Sequence, residues 1–240
     1  MKKHIPNLLT CCSLFSGCIA TVMAFQGQYF WVVIWIIIAA IFDFSDGFAA
    51  RLLKAYSPMG KELDSLSDMV SFGVAPSAII FHFLNENIYI ISQNELINKY
   101  LPFIAFLIAI FSGLRLAKFN IDTRQSDSFI GLNVPANALF WVSFCYGIVH
   151  DVPVISQGLI YIFIAAIIVF SLLLVSEIPM FSLKVKSWGF KGNEYRYFLA
   201  LFIIAMVIFV GVLGISAGIL LYIALSIINN RNSEDNSAKE

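Results

Sequence analysis

Four aspartates lie close together in an otherwise apolar part of the chain: Asp43, Asp46, Asp64 and Asp68. The 240-residue sequence is 60% hydrophobic and only 12% charged. A carboxylate inside a lipid-spanning helix costs roughly 2.5–3.5 kcal/mol, so acidic residues in such segments are rare and usually functional. Two like charges 4 Å apart also repel by about 4 kcal/mol at an effective dielectric constant of about 20. The cluster therefore indicates a strongly positive partner, and a divalent metal ion is the obvious one.

The spacing and the donor types favour a hard cation. Asp43 and Asp46 are three residues apart, and Asp64 and Asp68 are four apart, so each pair can share one face of a helix. Ligand sets made only of oxygen suit Mg²⁺ or Mn²⁺, with Ca²⁺ as a third candidate. Two such ions in one carboxylate cage neutralise the attacking and leaving oxygens of phosphoryl-type displacement. The alternative is that the acids are solvated helix caps paired with Arg51, Lys54 and Lys61.

Long apolar runs separated by short polar loops predict an all-α, polytopic membrane helix bundle. At roughly 20 residues per span, the sequence predicts about eight transmembrane helices. Their predicted ranges are 8–25, 29–50, 63–84, 100–119, 132–149, 154–176, 197–210 and 212–228. One long tilted helix is an alternative for the last two ranges, and a loop of about a dozen residues is expected between the second and third helices. The polar tail, 229–240, is predicted to be disordered.

The basic residues are distributed unevenly between the two faces of this bundle. With eight spans, both termini and every Lys and Arg except Lys99 fall on the same side. The positive-inside rule makes that side the cytoplasmic face of the cytoplasmic (inner) membrane, and the aspartates fall there too. The formal net charge is zero, so the composition does not indicate a nucleic-acid partner.

One motif covers the aspartates and the small residues between them. The pattern D-x2-D-G-x2-A-R-x8-G-x3-D-x3-D is matched at every fixed position, by Asp43, Asp46, Gly47, Ala50, Arg51, Gly60, Asp64 and Asp68. It resembles the motif of the CDP-alcohol phosphatidyltransferase family. The resemblance implies that an alcohol attacks the β-phosphorus of a CDP-linked lipid and releases CMP. It also implies two divalent ions, a homodimer, and a core of six membrane helices, here residues 1–195, followed by two additional helices over 196–228.

The resemblance also implies roles for individual residues. Asp43, Asp46 and Asp64 would bind metal, and Asp68 would bind metal and act as general base on the incoming hydroxyl. The CDP-lipid would lie against Gly47, Ala50, Arg51 and Gly60, with Asn7 and Thr10 as further candidates. Asn7 and Thr10 could equally cap and pack the first helix.

Segments outside the motif resemble the phosphatidylserine synthase branch of the family, which implies CDP-diacylglycerol and L-serine as substrates. They are IPNLLTCCSLFSGCIA, LDSLSDMVSFGVAPS, GLRLAKFN and GLNVPANA. Branches that use phosphorylated acceptors usually carry an Arg soon after PNxLT, whereas this chain reads CCSLFSG there. The serine carboxylate still needs a partner, and Arg115 is the candidate, with Lys118 and Asn120 nearby. Alternatively, Arg115 and Lys118 contact lipid headgroups.

Other functions stay open at this point. The same chemistry could use glycerol 3-phosphate or inositol as the acceptor, or an archaeal-type lipid as the donor. From a different class, the carboxylates could belong to a cation-coupled transporter. Against that class, the sequence shows neither a repeated half nor an interrupted helix at the middle of the membrane.

Overall fold

The structure is a computed structural model and describes residues 4–121, 129–181, 189 and 193–237. Several residues of the predicted charge asymmetry lie outside the described residues: Lys2, Lys3, Arg124, Lys184, Lys186, Lys191 and Lys239. The described part of the chain is almost entirely helical, which confirms the predicted all-α fold class.

The first half of the bundle contains α1 (His4–Phe25), α2 (Tyr29–Leu52), α3 (Pro58–Asp68), a π-helical segment (Met69–Val74), α4 (Ala75–Asn87) and a 3-10 turn (Ile88–Ile90). The second half contains α5 (Glu95–Tyr100), a 3-10 segment (Leu101–Phe106), α6 (Leu107–Ile121), α7 (Val134–Asp151), α8 (Gln157–Val175), α9 (Glu194–Val210) and α10 (Leu213–Ser237). Two short strands, β1 (Phe129–Ile130) and β2 (Pro179–Met180), pair antiparallel.

Within the described residues, five helical segments are long and apolar enough to cross a membrane: His4–Phe25, Tyr29–Leu52, Pro58–Ile90, Glu95–Ile121 and Gln157–Val175. The segment Leu213–Ile228 is a shorter apolar helix. The polytopic membrane bundle predicted from the sequence is therefore confirmed. The helix α7 carries polar residues near its ends, namely Asn137, His150 and Asp151. Its middle is nevertheless among the most buried parts of the bundle.

The connection between α2 and α3 is shorter than predicted. The helix α2 continues to Leu52 and α3 begins at Pro58, so only residues 53–57 join them rather than about a dozen. The hydroxyl of Ser57 accepts a hydrogen bond from the backbone N–H of Gly60 (3.0 Å), and Pro58 fits the first helical turn because it needs no donor there. This cap starts α3 early and places Gly60, Asp64 and Asp68 on one helix.

The C-terminal region forms two helices rather than one long helix, and they separate at Gly211. This glycine has a φ of +67°, in the left-handed region that glycine adopts without a steric penalty. Beyond the turn, α10 packs against α9 and α7. The backbone of α10 continues to Ser237, past residue 229, where the disordered tail was expected to begin. The polar residues after Ile228 include neither Pro nor Gly, the residues that most readily end a helix.

Small and polar side chains hold α1 between α2 and the α3–α4 helix. Ser13 donates to the carbonyl of Ala39 in α2 (3.0 Å), and Ser71 in the π-helical segment donates to the carbonyl of Ser13 (3.1 Å). Gly17 faces Ser71 so closely that a Cβ there would lie 2.2 Å from its hydroxyl oxygen. Such close contacts are typical of membrane helices, where small residues let backbones approach. They fix α2 and α3, which carry the aspartates, relative to each other.

Aromatic residues fill the interior where α4, α7 and α8 meet. Phe83 stacks on Phe163 with ring centroids 4.4 Å apart, and Phe140 stacks on Phe170 at 4.1 Å. Trp141 is fully buried beside Phe163. This cluster anchors α7, whose N-terminal end reaches the aspartates.

Candidate active site

Three of the four aspartates converge between α2 and α3. One carboxylate oxygen each from Asp43, Asp64 and Asp68 lies within 4.8 Å of the others. Asp68 is the last residue of α3, immediately before the π-helical segment, and such segments inside α-helices frequently occur at functional sites. The structure therefore brings together carboxylates from two neighbouring helices, as the helical spacing predicted.

Asp46 belongs to the same region but has a different environment. Its side chain is buried, and its Oδ2 accepts a hydrogen bond of 2.5 Å from the hydroxyl of Thr10 in α1. It is not one of the three converging carboxylates. Thr10 thus holds Asp46 in place one helical turn from Asp43.

Direct ion pairs do not hold these acids in place within the described part of the chain. No Lys or Arg in the described part of the chain forms an ion pair with any of the four carboxylates. In addition, Oδ1 of Asp68 is buried and has no hydrogen-bond partner. Buried polar atoms in native proteins are normally paired, so an unpaired carboxylate oxygen points to a missing ligand. The alternative of solvated caps paired with basic residues does not account for this arrangement.

The cluster suits a divalent cation in both chemistry and spacing. All the donors are carboxylate oxygens, which hard cations prefer. Oxygens on opposite sides of a Mg²⁺ or Ca²⁺ ion lie about 4–5 Å apart, since each bond is about 2.0–2.6 Å long. The 4.8 Å spread of the three oxygens is close to that range.

A first cavity of about 230 Å³ opens beside Asp46 and Asp64. All six residues predicted to contact the CDP-lipid line it: Asn7, Thr10, Gly47, Ala50, Arg51 and Gly60. Residues that the sequence analysis did not select also line it, among them Tyr56, Ser57 and Lys61. At Gly47 an added Cβ would meet only the Arg51 guanidinium, at 3.8 Å, so the small residue leaves this wall of the cavity open.

A second cavity of about 280 Å³ lies on the other side of the cluster. Its wall includes Asp43, Asp64 and Asp68 together with Arg115. Asp64 and Lys61 line both cavities. Asp64 therefore lies where the two cavities meet, while Asp43 and Asp68 line the second cavity alone.

The predicted acceptor residues differ in their surroundings. Arg115 lines the second cavity, is only 6% exposed, and has no hydrogen-bond partner at Nε. Asn120 lines the same cavity, but its Nδ2 donates to the Ser65 hydroxyl (2.9 Å). Lys118 lines neither cavity and forms an ion pair with Glu177 on a partly exposed surface. Burial of Arg115 argues against a headgroup contact for that residue, whereas Lys118 is placed as a surface residue would be.

Lys61 and Asn133 are further polar residues of this site that were not among the candidates from the sequence. Lys61 donates to the backbone carbonyl of Asn120 (3.0 Å) and so connects α3 with α6 at the junction of the cavities. Asn133, the residue before α7, lines the second cavity with Pro135. The signal for Asn133 was available in the sequence, because an Asn two residues before a Pro is typical of a helix N-terminus.

Comparison with known proteins agrees with this geometry. The model of the CDP-alcohol phosphatidyltransferase family matches residues 3–228. A Helicobacter pylori protein named CDP-diacylglycerol–serine O-phosphatidyltransferase is 34% identical over 189 residues, which cover 78% of this chain and 75% of that protein. A Bacillus subtilis protein of the same name is 36% identical over 150 residues, covering 60% and 77%. A Methanothermobacter thermautotrophicus protein named archaetidylserine synthase is 33% identical over 142 residues, covering 58% and 57%.

Proposed function

The chain belongs to the CDP-alcohol phosphatidyltransferase family, and on that basis we propose that it transfers the phosphatidyl group of CDP-diacylglycerol to L-serine, giving phosphatidylserine and CMP. The observation that carries this proposal is the carboxylate cluster at the junction of two cavities, one lined by the motif residues and the other by the buried Arg115. The names of the similar proteins from H. pylori and B. subtilis support serine as the acceptor.

In the proposed reaction, the serine hydroxyl oxygen forms a bond to the β-phosphorus of the CDP-lipid. The bond between that phosphorus and the oxygen bridging to the α-phosphate breaks, and CMP leaves. The hydroxyl proton goes to the carboxylate of Asp68, a residue that lines the second cavity. An alcohol is a weak nucleophile at neutral pH, so a positioned carboxylate base is needed to accept its proton.

The first cavity is proposed to hold the cytidine diphosphate part of the donor. Arg51 and Lys61 on its wall supply positive charge for the phosphates, and guanidinium groups bind phosphate oxygens in a bidentate manner. Gly47, Ala50 and Gly60 have little or no side chain, which leaves room for a flat base or for phosphate oxygens close to the backbone. Asn7 and Thr10 complete this wall from α1.

An apolar groove next to the first cavity is proposed for the lipid tails. It has a volume of about 410 Å³ and meets the first cavity at Asn7. Its other walls come from α1 and α3: His4, Ile5, Leu8, Cys11, Met59 and Leu63. The groove lies between two helices, so lipid tails can enter sideways from the membrane.

Divalent ions are proposed to be held by the aspartates, as Mg²⁺ or Mn²⁺ with Ca²⁺ as a third candidate. Asp43, Asp64 and Asp68 would hold one ion, and Asp46 together with Asp64 would hold the other. When bound, such ions supply positive charge that offsets the charge developing on the attacking and leaving oxygens. The buried and unpaired oxygen of Asp68 and the oxygen-only donor set support this assignment.

The placement in the cell is part of the proposal. The basic residues at one face support an integral protein of the cytoplasmic membrane, with the site and both termini on the cytoplasmic side. Serine would then reach the second cavity from the cytoplasm while the CDP-lipid comes from the membrane. A homodimer is proposed by analogy with the family.

CMP release by the purified protein in detergent tests the proposed function. We expect release from CDP-diacylglycerol with L-serine, and none with glycerol 3-phosphate or inositol. Release with one of those acceptors but not with serine would assign a different branch of the family. A comparison of diacyl and archaeal-type ether lipids in the same assay identifies the donor. Absence of CMP release with every acceptor, together with cation flux in vesicles, would support the transporter alternative instead.

Arg115→Ala tests the acceptor site. We expect the KM for L-serine to rise about tenfold or more, because a hydrogen bond to a charged group contributes about 1.5–3 kcal/mol. The KM for CDP-diacylglycerol should change much less, since Arg115 does not line the first cavity. Lys99→Ala, distant from the site on α5, is the control and should leave both constants unchanged. Equal increases in both KM values would mean that Arg115 also contacts the CDP-lipid.

A further inference from the structure

We propose that Asn133, at the N-terminal end of α7, forms together with Arg115 a binding site for the carboxylate group of the acceptor amino acid. The inference rests on the proposed function and adds a residue that determines which acceptors are used. It excludes acceptors that carry the same hydroxyl and amino groups without a carboxylate.

Arg115 places a buried guanidinium on the wall of the second cavity, which it shares with Asp43, Asp64 and Asp68. Its side chain is more than nine-tenths buried, yet Nε makes no hydrogen bond to any described residue. Its guanidinium lies over the ring of Phe119, 5.9 Å from the ring centroid, which holds the group in position but satisfies no N–H. A buried guanidinium is costly unless an anion or a hydrogen-bond acceptor completes it. Arg115 lines the cavity, so a ligand there can contact the guanidinium group.

Asn133 contributes a second donor on the same cavity. Its Oδ1 accepts a hydrogen bond of 2.7 Å from the backbone N–H of Ala136, which caps α7 and fixes the orientation of the side-chain amide. The Nδ2 group on the other side of the amide carbon carries two N–H donors and has no hydrogen bond to a described residue. Asn133 also lies at the positive end of the helix dipole, which favours a negative charge nearby.

The chain around Asn133 is held firmly, so the amide is positioned in advance. Gly131 has a φ of +76° and donates its backbone N–H to the carbonyl of Ile178 (2.9 Å). Leu132 donates to the carbonyl of Leu173 at the end of α8 (3.0 Å). A Cβ at Gly131 would lie 2.7 Å from the carbonyl oxygen of Leu174, so this close approach requires glycine. A donor fixed in this way loses little conformational freedom when it binds a ligand.

The other predicted acceptor residues are already engaged. The Nδ2 of Asn120 donates to Ser65, and its backbone carbonyl accepts from Lys61. Lys118 is paired with Glu177. Arg115 and Asn133 therefore still have N–H donors available to an incoming carboxylate on this cavity, which Lys61 also lines.

Steady-state kinetics of Asn133→Asp in the full-length protein test this proposal. The new carboxylate keeps the oxygen that caps α7, removes the N–H donors and adds a negative charge facing the acceptor. We expect the KM for L-serine to rise about tenfold or more, while kcat and the KM for CDP-diacylglycerol stay within about twofold. Asn94→Asp is the matched control, because the Oδ1 of Asn94 likewise caps a helix, α5, by accepting from a backbone N–H, that of Leu96 (2.9 Å). We expect it to leave all three constants unchanged.

A second variant covers the case in which Asn133→Asp does not fold. Asn133→Ser keeps a capping oxygen without the amide, and we expect a smaller increase in the same KM. An unchanged serine KM in both variants would overturn the proposal. So would parallel changes in kcat and both KM values, or loss of folding in both variants, since these show a purely structural role. Wild-type protein that releases no CMP with serine would instead refute the proposed function itself.

Discussion

Asp68→Asn is expected to lower kcat by about 10²–10⁴-fold, the range that general-base catalysis contributes. Asparagine has nearly the same shape as aspartate, but it cannot accept a proton from the serine hydroxyl. The residue lies at the end of α3 with Oδ1 buried and unpaired beside the second cavity, where the acceptor is proposed to bind. Because Asp68 does not line the first cavity, binding of CDP-diacylglycerol should be partly retained. Single-turnover CMP release and equilibrium binding of the CDP-lipid measure the two effects separately.

A matched control for this variant is available on the same helix. Glu62 is exposed on α3 and lines neither cavity, so Glu62→Gln should leave kcat unchanged. Thermal unfolding of both variants shows whether they are folded. A near-normal kcat in folded Asp68→Asn would mean that another group accepts the proton.

Removal of divalent cations is expected to stop turnover completely, and addition of Mg²⁺ or Mn²⁺ should restore it. Without an ion, the three converging carboxylates repel one another and the pyrophosphate loses the positive charge that the reaction requires. CMP release after treatment with EDTA, followed by titration with each metal, measures this effect. Full activity after exhaustive chelation would contradict the metal assignment.

Binding of the metal can be measured without turnover. Electron paramagnetic resonance of bound Mn²⁺ should show weaker binding in Asp43→Asn and Asp64→Asn than in the unsubstituted protein. Asp151→Asn serves as the control, because Asp151 lies at the far end of α7 and pairs with His150. Unaltered Mn²⁺ affinity in Asp43→Asn and Asp64→Asn would show that the ion is held elsewhere.

Much of the site followed from spacing along the chain. Residues three and four apart share a helix face, so the pairs Asp43 with Asp46 and Asp64 with Asp68 could be assigned to two faces without coordinates. The residues of the motif between them all line the first cavity. These relationships are local, and the helical period determines them once the helices are recognised.

Other features depended on contacts between distant parts of the chain. Lys118, a candidate from the sequence, forms an ion pair with Glu177, and Asn133 was not among the candidates. Arg115 and Lys118 are both basic residues near the end of α6, and only packing against the rest of the bundle buries one and exposes the other. The short α2–α3 connection was missed because the Ser57–Pro58 helix start was not recognised.

The sequence alone determined that this is a membrane bundle with an acidic, oxygen-donor site on two neighbouring helices, because apolar length and helical spacing are properties of the local chain. Only the tertiary structure decided which carboxylates converge, that two cavities meet at Asp64, and that Arg115 and Asn133 share one of them. Those facts depend on how closely α1, α2, α3, α6 and α7 approach one another. That approach is set by contacts such as Ser71 to Ser13 and Gly17 to Ser71, between residues far apart in the sequence.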